Sequence, residues 1–492
     1  MSETKIRPLR GVLDMPVSHA ELSERSGTED MDSGNQAVQA NAGLTRLLAR
    51  TALDYRTAAL PADALMVAKQ CIMDWFAVAL PGAREDCAML LADELESVGQ
   101  GPCMVIGRRC RLSAQDAALA NGVASHALDF DDVNRTMQGH PTVAIFPAAL
   151  AVSEAEGKSS RDLLTAYIAG YEIACIVNAQ VAPSHYAMGF HATGTIGAIG
   201  AAVAAGLLLE LDETQMAHAI GLAATQSAGL KAMFGSMAKP LHAGKAAANG
   251  VLAARLAARG FTAHPGALEA GQGFISTLSL EPSRSAIIPP PGAEIVKTLF
   301  KYHAACYMTH STIDCLAKLR DEADLSADAV AAVYIHVAPG HLAACNILDP
   351  ANGLEAKFSL RHAAALALHR RNSSALETFS DEGAADPELV SMRQRVSVYG
   401  DMPAGGAVRV VVQTHDGARY EANHDTGVVE DDLLRQAKRI EAKFMSLAVP
   451  VLGADVARRL LSGVSRLDQG VALSDLLRDV RAGDDVHFVM TG

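Results

Sequence analysis

Asp129 opens the run Asp129-Phe130-Asp131-Asp132, and His140 follows eleven positions later, directly ahead of Pro141 and an apolar run. A carboxylate, a loop and a histidine at a helix start can act as an orienting acid and its base. The same residues also read as a solvated acidic loop with a helix-capping histidine. Asp129 is the carboxylate of interest because it follows the apolar end of a helix, while Asp131 and Asp132 are expected in solvent. Two more basic residues stand at the starts of Ala-rich runs: His191 opens HATGTIGAIGAAVAAGLLL, and Lys239 precedes Pro240 and LHAGKAAANGVLAARLAARG. A helix start offers free N–H groups and the positive end of the dipole, so a basic side chain added there makes an anion site. If the three starts converge, they make a strongly cationic pocket in a chain whose net charge is -13. That contrast points to a small polyanionic substrate, most simply a polycarboxylate.

Further basic groups surround this set. His242 lies one helical turn beyond Lys239 and Lys245 one turn further, a spacing that also suits a surface basic face. Lys301, His303 and His310 follow in KYHAACYMTH, with Cys306 between them reading as core. Lys357 begins an apolar run in LEAKFSL, where a helix-surface lysine is the alternative. No metal cluster emerges: His185 and His191 are six apart, without a carboxylate pair at ligand spacing, and no C-x-x-C pair occurs. Gly194, Gly197 and Gly200 miss the dinucleotide-binding pattern and predict a close-packed helix face instead.

These side chains must be held by helices. Residues 1–42 are polar and aperiodic and read as a disordered extension. From Leu44 to about Leu280 helix follows helix: Pro61 begins one that stops at Pro81-Gly82, and Ser113, Ser160 and Asp212 are N-cap candidates for others. The Pro-rich break at 287–292 changes the periodicity. Ala329–Val337, Val396–Tyr399 and Val408–Thr414 alternate and are β-branched, and His415-Asp416-Gly417 predicts a hairpin. Helical pattern returns at Asp431, so the last segment is expected to pack back on the first. The chain is therefore expected to be mainly α, with an all-helical part from 43–295 and 435–492 and a smaller α+β part at 296–434.

Composition bounds the rest. At 492 residues, two domains are expected. Aromatics make up only 4%, so Ala, Leu, Val and Ile must fill the core. The acidic balance leaves no basic stripe for nucleic acid. The eight scattered cysteines and the absence of an apolar leader suggest a cytoplasmic protein with reduced thiols. The most membrane-like stretch, Ile196–Leu209, is too short to span and reads as a buried helix.

The segments ASHALDFDD with His140-Pro141, GFHATGTIGAIGAA, GSMAKPLHAGKAA, KYHAACYMTH and LEAKFSL, in that order, resemble the MmgE/PrpD family from about Leu44 to the C-terminus. The resemblance implies a large all-helical domain built from both ends of the chain, a smaller α+β lid at 296–434, a homodimer, and no iron–sulfur cluster or other cofactor. It implies pocket, and hence catalytic, roles for Asp129, His140, His191, Lys239 and Lys301; from their own placement His242, His310 and Lys357 are expected to bind substrate. His140 and His191 would move protons, Asp129 would orient one of them, and Lys239, His242 and Lys301 would hold carboxylates. Val133, Cys306 and the Ala344-Cys345 pair depart from the pattern of the family's decarboxylase branch. The expected reaction is therefore dehydration of a 2-methylcitrate-like hydroxy acid. Decarboxylation of a cis-aconitate type, epimerisation, and a catalytically inactive carboxylate-binding protein are the alternatives.

Overall fold

A computed structural model describes residues 43–283, 286–478 and 480. The 1–42 extension read from the sequence lies outside the described residues. The fold is mainly helical, with one four-stranded sheet and one two-residue ladder, Cys103–Met104 with Arg111–Leu112, among the described residues.

Among the helices that position the site the first is α1 (Ala62–Gly82), which ends at Pro81-Gly82 as expected. Then follow α2 (Ala114–His126), α3 (Pro141–Glu156), α4 (Ser160–Val181), α5 (Ala192–Leu208), α6 (Glu213–Thr225) and α7 (Ala238–Ala258). Their starts have local causes. The Ser113 hydroxyl accepts the Asp116 amide hydrogen, and Asp212 and Gln215 form a capping box. A cap of this kind contributes ~1 kcal/mol. The cap of α4 is Ser159, one residue before the expected Ser160, because only Ser159 can pair reciprocally with Asp162 three positions on. His140 and His191 are the N-caps of α3 and α5, whereas Lys239 sits inside the first turn of α7.

At the centre α5 is buried along its whole length and is flanked by α3, α4 and α7. Its glycines allow backbone approach. A Cβ on Gly200 would stand 2.7 Å from the Gly170 carbonyl, and one on Gly194 would stand 2.4 Å from the Ala228 carbonyl. The sequence thus fills a core poor in aromatics by bringing helix axes close together. α1 is long and apolar enough to cross a membrane, but 78% of its apolar window is buried within the fold.

The α+β portion carries α8 (His310–Glu322) and α9 (Leu360–Leu368), with strands β1 (Val330–His336), β2 (Val396–Tyr399), β3 (Ala407–Thr414) and β4 (Arg419–Asp425). The sheet order is β2-β1-β3-β4, with β1 and β2 parallel and the other pairs antiparallel. β3 and β4 form the expected hairpin, whose turn uses Gly417 at φ 90. α8 covers β3 and β4. The chain then returns as α10 (Leu433–Leu452), capped by Asp432, and packs along α1. The segment after the Pro-rich break is tied to the helical layer by a two-residue bridge. Val133 and Leu299 exchange both backbone hydrogen bonds at 2.8 Å, which places Lys301 beside the acidic run.

Gly194→Ala is expected to cost about 1–3 kcal/mol of stability, the usual penalty for overpacking. Gly99→Ala, at an extended position where a Cβ meets nothing within 4 Å, is the neutral control. Denaturant unfolding of the two variants checks this.

Candidate active site

The site forms where α2 ends and α3, α5 and α7 begin. Residues 127–140 leave α2, pass through Asp129, and turn back at Gln138, so that His140 returns over the acidic run. Asp129 and Gln138 both hold φ near +50, in the left-handed region. Asp tolerates this conformation better than most residues, and such outliers gather at functional sites. The three basic helix starts do converge. The His140 amide donates to Thr193 Oγ1 at 3.0 Å, one residue inside the first turn of α5. The His126 ring packs against both His140 and His191, with centroids 4.7 and 6.0 Å apart.

Asp129 grips lysines. Its Oδ1 receives Lys239 Nζ at 2.7 Å and Lys301 Nζ at 2.9 Å, and Lys301 also donates to the Asp129 backbone carbonyl. Burial opposes ionisation of Asp129, but Lys301 and Lys239 together outweigh it and hold the carboxyl well below its ordinary range. Burial likewise opposes the charge on Lys301, yet Asp129 and Asp131 raise its pKa overall. The Asp129 carboxylate is 52% exposed, so the paired charges meet solvent through it.

The histidines are carried by Asp131 instead of Asp129. His126 Nδ1 lies 2.9 Å from Asp131 Oδ1, and His140 Nδ1 lies 2.8 Å from Asp131 Oδ2 and 3.0 Å from the Asp132 carbonyl. All these neighbours of His140 Nδ1 are acceptors, so that nitrogen carries the hydrogen. His140 Nε2, 3.7 Å from Asp129 Oδ1, is thereby left free for proton transfer. Burial pushes Asp131 up, but His126 and His140 prevail and its pKa falls well below the usual range. His126 itself is lowered to about 4, chiefly by burial.

Asp131 and Asp132 are both 1% exposed, which overturns their expected solvation. A run of acids looks solvated in sequence, but each here has its own partner. Asp132 accepts from the Thr142 hydroxyl, which also meets Tyr167 Oη at 2.6 Å. With no cation bonded to it, burial raises Asp132 to about 8. The pocket is also less cationic than expected, because Asp129 and Asp131 match the two lysines in number.

His191 Nδ1 lies 3.0 Å from His242 Nδ1, and Phe234 stands edge-on to the His191 ring. Burial lowers His191 to about 2 and also lowers His242, so both are neutral imidazoles near pH 7. His191, His242 and Lys239 thus join the cluster, while Lys245 is exposed. His310 is fully buried, its Nε2 facing the Ala305 carbonyl at 3.2 Å and its ring against His303. Lys357 has Glu85 as its charged neighbour, with its pKa lowered by burial. These two stand outside the hydrogen-bonded cluster. Cys306 is half-buried, and the neighbouring Cys345 thiol holds its pKa below the ordinary thiol range.

Sequence reasoning passed over His126, although a histidine closing a buried helix five residues before Asp131 was a usable signal. It also found no metal spacing, whereas the fold brings donor atoms of His126, Asp129, Asp131 and His140 within 4.8 Å of one another. A cation there would have to compete with both ammonium groups on Asp129.

Such a cluster handles charge and protons beside a carboxylate, as lyase chemistry requires. The MmgE/PrpD N-terminal domain matches residues 46–285 and the MmgE/PrpD C-terminal domain residues 303–469. The chain is 27% identical to a cis-aconitate decarboxylase of Aspergillus terreus over 483 residues, covering 90% of this chain and 97% of that protein. It is 26% identical to the cis-aconitate decarboxylase of Homo sapiens over 379 residues, 73% of this chain and 77% of that one. The chain belongs to the MmgE/PrpD family, and it is an enzyme of the lyase class.

Asp132 generates a pH prediction. Its unfolded carboxyl ionises near ~3.9, but the folded one keeps its proton up to about 8. Between those values the folded state binds more protons, so this group's contribution to stability declines as pH rises through the window. Asp132→Asn, close in shape to the protonated acid, should flatten that decline. Denaturant unfolding at pH 5 and pH 8 should therefore differ less in the variant than in the wild type.

Proposed function

We propose that this enzyme decarboxylates a small unsaturated tricarboxylate of the cis-aconitate type. The observation that carries the reading is the pair of ammonium groups on Asp129 Oδ1, with His140 Nε2 beside them. In this reaction the C–C bond to one carboxylate breaks and CO₂ leaves. The electron pair passes into the remaining unsaturated acid, and a proton from solvent, delivered through His140, replaces the lost carboxylate. Charge accumulates on a carboxylate oxygen as the bond breaks, where Lys239 and Lys301 stabilise it. Asp131 keeps the imidazole aimed, and neutral His191 and His242 complete the wall. Similarity over nine-tenths of the chain to a protein named cis-aconitate decarboxylase favours this over dehydration of a 2-methylcitrate-like acid.

The α+β portion at 296–434 serves in this reading as a lid, with the Lys301–Asp129 contact marking its closed arrangement. A homodimer fits the exposed Leu230, Met233, Phe234 and Met237, which lie beside the site and would gain cover from a second copy.

NMR in D₂O tests the reaction. With cis-aconitate the expected outcome is CO₂ release and one deuterium in the product. Water loss from 2-methylcitrate would return the reading to a dehydratase. Deuterium exchange without loss of CO₂ or water would indicate an epimerase, and tight binding without either a carboxylate-binding protein. Lys239→Ala and Lys301→Ala should each lower kcat/KM by about 1.5–3 kcal/mol, or roughly 10- to 150-fold, the worth of one charge-assisted contact. Wild-type kinetics in both variants would remove the lysines from the mechanism.

A further inference from the structure

Below the cluster lies a lysine that touches none of its working side chains. Lys443, on α10, is 1% exposed. Its Nζ donates to the Phe130 carbonyl at 2.6 Å, stands 3.9 Å from the centroid of the Phe130 ring, and forms an ion pair with Asp74 of α1. Asp74 is equally buried at 1% exposure. Phe130 sits between the two carboxylates that carry the site: Asp129, which holds Lys239 and Lys301, and Asp131, which holds His126 and His140. One ammonium group therefore fixes the residue that stands between the two carboxylates, by its carbonyl and by its ring.

Stability alone does not account for this arrangement. Two buried charges lose their hydration, and well-packed apolar residues of similar volume commonly replace such a pair at no cost. What apolar residues cannot supply is a directional donor to the Phe130 carbonyl. Burial lowers the pKa of Lys443 and raises that of Asp74 to about 6, so the pair is retained against a desolvation penalty at both ends.

We infer that Lys443 is a positioning residue for the site. By holding the Phe130 carbonyl and ring from the C-terminal helix, it sets where Asp129 presents the lysines and where Asp131 aims the histidines. The kinetic consequence rests on the decarboxylase reading above, while the geometric consequence does not.

The test uses the full-length protein carrying Asp74→Leu together with Lys443→Met, a pair that strands no buried charge. The double variant should fold with a melting temperature near that of the wild type. Its kcat on cis-aconitate should fall roughly 10²-fold, the cost of a misplacement near 1 Å, with KM within about threefold because the residues that meet substrate are untouched. Independently of any substrate, amide hydrogen exchange across residues 129–132 should quicken roughly tenfold, as expected for loss of one buried hydrogen bond. Exchange elsewhere on α2 and α3 should stay unchanged. Wild-type kcat in the folded double variant, or unaltered protection at 129–132, would overturn the inference. If the wild type turns over no carboxylate, the functional reading fails and the exchange measurement alone decides the role of Lys443. If the double variant unfolds, Lys443→Arg, which keeps charge and donors, decides by the same two readouts.

Discussion

The structure depends on how acids are kept out of water. Asp74, Asp131 and Asp132 are each 1% exposed, with the half-exposed Asp129 at their edge, and an isolated buried carboxylate is too costly to stay ionised. Each is accommodated differently. Asp129 is matched by two ammonium groups, Asp131 by two imidazoles, and Asp74 by one buried lysine. Asp132 has no bonded cation and retains its proton to about pH 8. The partners come from α2, the start of α3, α7, the segment after the Pro-rich break, and α10. The packing of these distant pieces and the ionisation of the acidic run are thus one problem with one solution.

The scaffold was legible in sequence to the extent that local chemistry decides it. The capping residues of α2 and α6, the proline at the start of α3, the glycine face of α5 and the hairpin between β3 and β4 are all encoded within a few residues of where they act. That His140, His191 and Lys239 stand at helix starts was legible for the same reason, whereas their convergence is decided by the packing of α3, α5 and α7. The division of labour between Asp129 and Asp131 was not. Four residues reading Asp-Phe-Asp-Asp carry no mark of which carboxylate turns inward, because that depends on residues 126, 140, 239 and 301. Lys443 was invisible in a helix rich in Lys and Arg, where nothing local separates the one buried lysine from its exposed neighbours.

In the decarboxylase reading proposed above, charge matching also limits what the site accepts. A cluster of unopposed cations would attract any anion that diffused in. Here Asp129 already occupies the space between Lys239 and Lys301, so an incoming carboxylate must offer those lysines a better arrangement than the one they have. Its left-handed backbone, at φ 50, places it there at a conformational cost that only the surrounding contacts sustain. Selectivity then comes from competition with a resident acid, which favours ligands carrying several carboxylates at fixed spacing over single ones.

The long loop in chain order between α1 and α10 has a consequence for biosynthesis. Asp74 is translated first, the acidic run soon after, and Lys443 only 313 residues after Phe130. While the chain is still emerging from the ribosome, the helices from α1 to α7 can assemble, but the floor beneath Phe130 has no counter-ion. A nascent or prematurely terminated chain therefore carries every histidine of the cluster, and even Lys301, without the support that holds them in place. The support beneath Phe130 is thus completed only after α10 has been made.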